Sequence, residues 1–218
     1  MLNITTRRGQ RHVYIALLIA ATLGLSMLFY TAQTPAIRPA FTTPQLPALA
    51  VGDWVFRSGT STESHLIQTL SNGEFSHIGM IVSVQPELLI VHATTNDDPQ
   101  RSNQVLTSTL NAFIDPQRAR SFAIARPLFV TAKENQQAAT WLLKQLRQPF
   151  VLADRSNTHL YCTTLLADAL QHTQTPFKPL WQQMNAPMFS GEYLFPQAFA
   201  DYPDIEWLYR SSAIQHPQ

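Results

Sequence analysis

Phe75-Ser76-His77-Ile78-Gly79-Met80-Ile81-Val82-Ser83-Val84 is β-rich and alternates, stops at Gln85-Pro86, and resumes as Glu87-Leu88-Leu89-Ile90-Val91-His92-Ala93-Thr94. Alternation with period two is the mark of a β-strand with different faces. Two such runs around a proline-bearing break predict an antiparallel hairpin. If Gln85-Pro86 closes it, Val84 faces Glu87 and Ser83 faces Leu88, which sets Gly79 opposite His92 and His77 opposite Thr94. Both imidazoles then project from one face as diagonal neighbours, with Gly79 leaving room beside His92. The other face carries Ile78, Met80, Val82, Leu89 and Val91 and is the better core face.

Upstream, Gly52 to Arg57 reads as a short strand entered by a turn, with Asp53 in a turn role. Ser61 to Leu70 reads as a helix capped by Ser61 or Thr62. Downstream, Ser121 to Arg126 is another strand, and Thr131-x-x-Glu134 is a capping box that opens a helix ended by Pro149. Leu160 to Leu170 forms a further helix, with Asn157 or Thr158 as its N-cap. The tail after Pro176 is rich in proline and aromatics and is expected to wrap the core irregularly. Strands first and helices later predict an α+β domain with an antiparallel sheet packed on helices.

The segments before residue 51 differ in kind. Residues 13–29 hold no charge and follow Arg7, Arg8 and Arg11. This is the pattern of a signal peptide or a signal anchor; no clean A-x-A site follows, which favours the anchor, and the positive flank then keeps the N-terminus in the cytoplasm. Residues 33–48 contain four prolines and form an extended tether. The expected organisation is a membrane helix over 1–31, a linker over 32–50 and a folded domain over 51–218. A bacterial inner-membrane protein with one span and a periplasmic domain follows. Residues 1–50 carry four arginines and no acid, whereas residues 51–218 carry eleven basic and fourteen acidic side chains. A mildly acidic domain argues against nucleic acid as a partner. With one cysteine, an intramolecular disulfide is excluded.

That cysteine is Cys162, in the first turns of the last predicted helix, where unpaired amides favour an anion. A buried, inert thiol is the competing reading. His77 and His92 on one hairpin face supply a base and a group to orient it, which is what a nucleophilic cysteine needs. His65, His172 and His216 fall outside this arrangement. A zinc site built from His77, His92, Cys162 and His159 is one alternative, and a tethered binding domain without catalysis is another. Arg57 is open between a pocket cation and a solvated strand residue.

Gly52-Asp53-Trp54-Val55-Phe56-Arg57, the strand Phe75 to Val82, Val91-His92-Ala93, Pro149-Phe150 and Tyr161-Cys162-Thr163, in that order, resemble the YiiX/YebB-like cysteine hydrolases, a circularly permuted papain-like branch of the NlpC-related superfamily. The resemblance spans about residues 51 to 210. It implies a permuted papain-like fold, Cys162 as nucleophile, His77 as general base and His92 as the third, polar member. It implies thiol acyl-enzyme chemistry on an amide or ester, such as a peptidoglycan peptide or a lipid, without a cofactor. Where relatives carry an acid two residues after the cysteine, this chain has Thr164.

Overall fold

The computed structural model describes residues 46–186 and 189–211. The apolar run 13–29, most of the proline-rich segment and His216 lie outside the described residues. Among the described residues no helix is long and apolar enough to cross a membrane.

Six strands form one antiparallel sheet: β1 (Trp54–Gly59), β2 (His77–Ser83), β3 (Leu89–Thr94), β4 (Gln104–Thr109), β5 (Ala119–Pro127) and β8 (Ile205–Arg210), in the order β4-β3-β2-β1-β5-β8. A separate hairpin pairs β6 (Gln182–Ala186) with β7 (Phe189–Tyr193). The helices are α1 (Thr62–Ser71), α2 (Leu110–Phe113), α3 (Ala132–Lys144), α4 (Cys162–His172) and α5 (Gln197–Ala200). The α+β class with an antiparallel sheet is therefore present as expected.

The hairpin β2–β3 has the expected register in its body, with Met80 opposite Val91 and Ile81 opposite Ile90. Near the turn the register shifts, and Ser83 faces Leu89 instead of Leu88. Residues 84–88 all lie outside the two strands. The loop is therefore longer than Gln85-Pro86 alone, and a bulge absorbs the extra residue.

Both faces of the sheet are covered. Ile78, Met80, Val82, Val91 and Ala93 join Trp54 and Phe56 in a core shared with Ala138 and Leu142 of α3 and Leu165, Leu166 and Ala169 of α4. Those helical positions recur at three and four residues, one face of each helix. The other sheet face was expected to be the less apolar one. It is a second, smaller core in which Val55, Ile81, Ile90, Phe122 and Ile124 meet Leu110, Phe113 and Ile114. Leu46 and Leu49 pack on this second core. Asp53 accepts a hydrogen bond from the Ala50 amide at 2.8 Å and pairs with Arg126 at 2.7 Å, the turn role expected of it. Residues 46–50 of the expected linker thus pack against the domain.

Three local expectations hold, two at the starts of α1 and α3 and one on the surface. Ser61 caps α1 by accepting from the Ser64 amide. Thr131 and Glu134 form the predicted reciprocal box at α3. His65 and His172 lie on exposed surface. The start of α4 differs: its N-cap is Tyr161, so Cys162 is the first helical residue. Val151 and Leu160 exchange backbone hydrogen bonds, both at 2.8 Å, which holds residue 160 extended and keeps the helix from starting at Asn157 or Thr158. Asn157 instead belongs to a turn in which its side-chain amide donates to Asp154. The tail is also more regular than expected. β8 pairs along β5 with a bulge at Leu208, which sends Ile205 and Trp207 to the larger core and Leu208 and Tyr209 to the smaller one.

Candidate active site

His77 opens β2 and His92 lies near the end of β3, so both stand at the same end of the hairpin. Their shared face, read from the alternation, brings the rings into contact: His77 Nε2 and His92 Nδ1 are hydrogen-bonded at 2.8 Å. Gly79 is what permits this approach. A Cβ there would lie 2.5 Å from Ile90 Cγ2 and 3.2 Å from His92 Cβ. Phe113 of α2 stacks on His77 with centroids 5.4 Å apart and meets His92 edge-on at 5.0 Å. His92 Nε2 lies 2.9 Å from Ser108 Oγ on β4.

Beside the histidines lies a buried ion pair absent from the sequence reading. Arg57 on β1 is the cross-strand partner of His77, and its guanidinium grips both carboxylate oxygens of Asp97, at 2.8 and 3.0 Å. Its NH1 also donates to the Phe113 carbonyl at 2.9 Å. Asp97 Oδ2 sits 3.8 Å from His92 Nδ1. Arg57 is thus a buried, paired cation. Asp97 comes from the loop after β3, and the only hint of it was an acid a few residues beyond His92. Nothing local in the sequence announces a contact forty positions apart.

Burial dominates the protonation of this group. Desolvation, reinforced by the nearby Arg57 charge, holds the His77 pKa well below its ordinary value. Desolvation brings the His92 pKa down to about 3, with Asp97 opposing that fall. Burial works to raise the Asp97 pKa, but the Arg57 hydrogen bonds and charge prevail and hold it below the usual carboxylate range. At neutral pH the set is therefore two neutral imidazoles beside an ionised Arg57–Asp97 pair.

Cys162 enters from the other side of the sheet, as part of the larger core. It and His77 line one cleft of about 350 Å³, together with Arg57, Asp97, Phe150 and Tyr161. Among the described residues no hydrogen bond joins its Sγ to either imidazole. Burial pushes the Cys162 thiol up to about 11, although the amides of Ile78 and Thr163 and the Arg57 charge act the other way. The expectation of a thiolate favoured at rest is corrected accordingly: desolvation outweighs the helix N-terminus. Tyr161 cannot cap α4 with its side chain, because its hydroxyl accepts from the Leu194 amide at 3.0 Å. Thr164 supplies the returning half of a cap, its Oγ1 accepting from the Tyr161 amide at 2.9 Å. The first turn of α4, which begins at the cleft-lining Cys162, therefore receives no side-chain cap from Tyr161.

His159 is not part of this group. Its Nδ1 donates to the Asn157 carbonyl at 2.8 Å, and its ring packs on Trp181. The four-residue zinc set of His77, His92, Cys162 and His159 is thus not assembled. The metal-capable cluster among the described residues is His77, His92 and Asp97, whose ligand atoms lie within 4.8 Å of one another.

No family model matches the chain, and no curated protein matches it. Among solved structures the chain is similar to the metalloprotein yiiX from Escherichia coli O157:H7, of DUF1105, with a TM-score of 0.59 and 18% sequence identity. The match covers 74% of this chain and 97% of that one. The likeness is one of fold.

Proposed function

We propose that the chain is a cysteine hydrolase of the permuted papain-like kind, cleaving an amide or ester bond through a thioester at Cys162. One observation carries the reading: a hydrogen-bonded, buried pair of neutral histidines opens onto the same cleft as a cysteine at the first residue of a helix. An imidazole whose Nε2 is engaged by a second ring has its Nδ1 left to act in the cleft.

With the thiol and both imidazoles neutral at rest, proton transfer accompanies attack instead of preceding it. Cys162 S–H gives its proton to His77 Nδ1 as the S–C bond forms. The carbonyl oxygen becomes an oxyanion and accepts from the first-turn amides of α4. The C–N or C–O bond then breaks, and His77 returns the proton to the leaving amine or alcohol. Water, deprotonated by His77, cleaves the thioester, releases the acid and restores the thiol. His92 spreads the positive charge that His77 carries between these steps, with Asp97 nearby to oppose it. A peptidoglycan peptide or a lipid ester is the substrate class for a domain held at the periplasmic face of the inner membrane by residues 13–29. The decisive experiment is acylation of Cys162 by p-nitrophenyl acetate, located by peptide mass spectrometry. No acetyl group at Cys162, or equal labelling in His77→Ala, sinks the proposal.

A second reading, a metal centre, is favoured by the His77, His92 and Asp97 cluster and by the name metalloprotein borne by the structural neighbour. Two histidines and a carboxylate suit a divalent transition metal by donor type. Their arrangement does not fit one. His77 Nε2 and His92 Nδ1 are spent on each other at 2.8 Å. Both Asp97 oxygens are spent on Arg57, whose guanidinium already supplies the positive charge a metal would bring. Elemental analysis of protein purified without a His tag is expected to find less than about one-tenth equivalent of zinc, far from the full occupancy of a structural site.

A further inference from the structure

The hydrogen-bonded line does not stop at His92. Ser108 Oγ, 2.9 Å from His92 Nε2, stands half-buried on β4, the outermost strand on that side of the sheet. Ser108 is the register partner of Ile90, so it lies diagonal to His92 on the same face. His77, His92 and Ser108 form one unbranched line from the cleft to the sheet edge.

A neutral imidazole carries one N–H and one bare nitrogen. The line therefore has two proton orders. In the first, Ser108 Oγ accepts from His92 Nε2–H, His92 Nδ1 accepts from His77 Nε2–H, and His77 Nδ1 is bare. In the second, Ser108 donates to His92 Nε2, His92 Nδ1–H donates to His77 Nε2, and His77 carries its proton on Nδ1. Only the first lets His77 receive a proton in the cleft. We infer that Ser108 is a positioning residue, whose hydroxyl holds the two imidazoles in the order that leaves His77 Nδ1 bare. Its purpose rests on the hydrolase reading above; its geometry does not.

The groups around the line explain why such a residue is needed. Asp97 Oδ2, 3.8 Å from His92 Nδ1, attracts a proton to that nitrogen and so favours the second order. Arg57 from β1 holds both oxygens of that carboxylate and weakens the pull, and Arg101 and Arg118 add positive potential from farther away. The Phe113 ring against both histidines brings no polar atom. At the Nε2 end of His92, Ser108 is the hydrogen-bond partner. Being half-exposed, its hydroxyl gives its own proton to solvent while it accepts, so no buried donor is left unpaired.

The test needs no substrate. Long-range nitrogen-15 correlation spectra of the full-length protein at about pH 7 report which ring nitrogen bears the proton. Wild type is expected to show both His77 and His92 protonated on Nε2. In Ser108→Ala, the residual pull of Asp97 is no longer balanced by an acceptor at His92 Nε2, and both rings move to the Nδ1–H form. Acetylation of Cys162 by p-nitrophenyl acetate then falls about tenfold, a modest loss because the third member of a triad orients without reacting. Ser108→Thr keeps the hydroxyl on a strand residue and restores both readings. A proton on His77 Nδ1 in wild type, or unchanged tautomers in Ser108→Ala, would overturn the inference. Correct tautomers without any acetyl group on Cys162 would uphold the Ser108 assignment and remove the hydrolase reading instead.

Discussion

Cys162 behaves as two residues in one. By position it is the first residue of a helix, aimed at a shared cleft; by environment it is a core side chain only 7% exposed. The second property governs its resting reactivity. With the thiol pushed up to about 11, iodoacetamide is expected to alkylate it more slowly than free cysteine at about pH 7, with a rate that climbs steeply into the alkaline range. A rate equal to or above that of free cysteine at neutral pH would show a preformed thiolate and contradict the burial argument. The histidines differ in the same manner. His77→Ala is expected to abolish acylation of Cys162, since no other group in the cleft takes its proton. His92→Ala is expected to cost on the order of 10²-fold and His92→Gln less, because an amide oxygen still accepts from His77 Nε2–H. Equal activity of His92→Ala and wild type in a stopped-flow acylation assay would remove His92 from the mechanism.

At the level of elements, the hairpin and the start of α4 determine whether these residues meet. Thr164 ties the Tyr161 amide at the helix start, and Thr164→Val removes the acceptor while keeping the volume. It is expected to lower stability by about 1 kcal/mol, read from urea unfolding; an unchanged midpoint would mean that solvent replaces the hydroxyl fully. The same elements show how far the sequence could be read. Alternation in residues 75–94 sufficed to place His77 and His92 on one face, because the side-chain period of a strand is two and a buried face specifies register strongly. It could not reveal the bulge beside Ser83, because one extra residue opposite a strand leaves no mark in the alternation. The helix start was misjudged because Val151 and Leu160, nine residues apart, pair across a loop, and capping signals are local. Strand β4, QVLTST, escaped notice because an edge strand with mixed polar residues has no clear apolar face. Ser108 was lost with it. The Arg57–Asp97 pair and Phe113 are long-range contacts that no spacing rule reports.

For the whole molecule, the buried pair of histidines makes stability depend on pH on the acid side. The folded His92 pKa of about 3 lies below its ordinary 6.5, so the unfolded chain binds a proton in a range where the folded chain does not. Stability from this group is complete above about pH 6.5 and falls as pH drops through that value toward 3, with His77 acting in the same direction. The melting temperature is expected to decline across that window, and His92→Gln to flatten the decline; a flat profile in wild type would refute neutral burial. The packing of Leu46 and Leu49 on the second core also places the start of the cooperative unit before residue 51. A chain beginning at residue 51 is expected to be less stable than one beginning at residue 45 by on the order of 2 kcal/mol, and equal unfolding midpoints would make residues 46–50 mere tether. The outer rim of β4 has a consequence of its own. The Arg147 amide donates to the Val105 carbonyl, and the Val105 amide donates to the Gln148 carbonyl, both at 2.9 Å. The chain thus occupies with its own backbone the two Val105 groups that this edge strand would otherwise offer to a neighbour. At that step a neighbouring copy finds the hydrogen-bonding groups already taken, so strand-on-strand stacking is blocked where Arg147 and Gln148 lie.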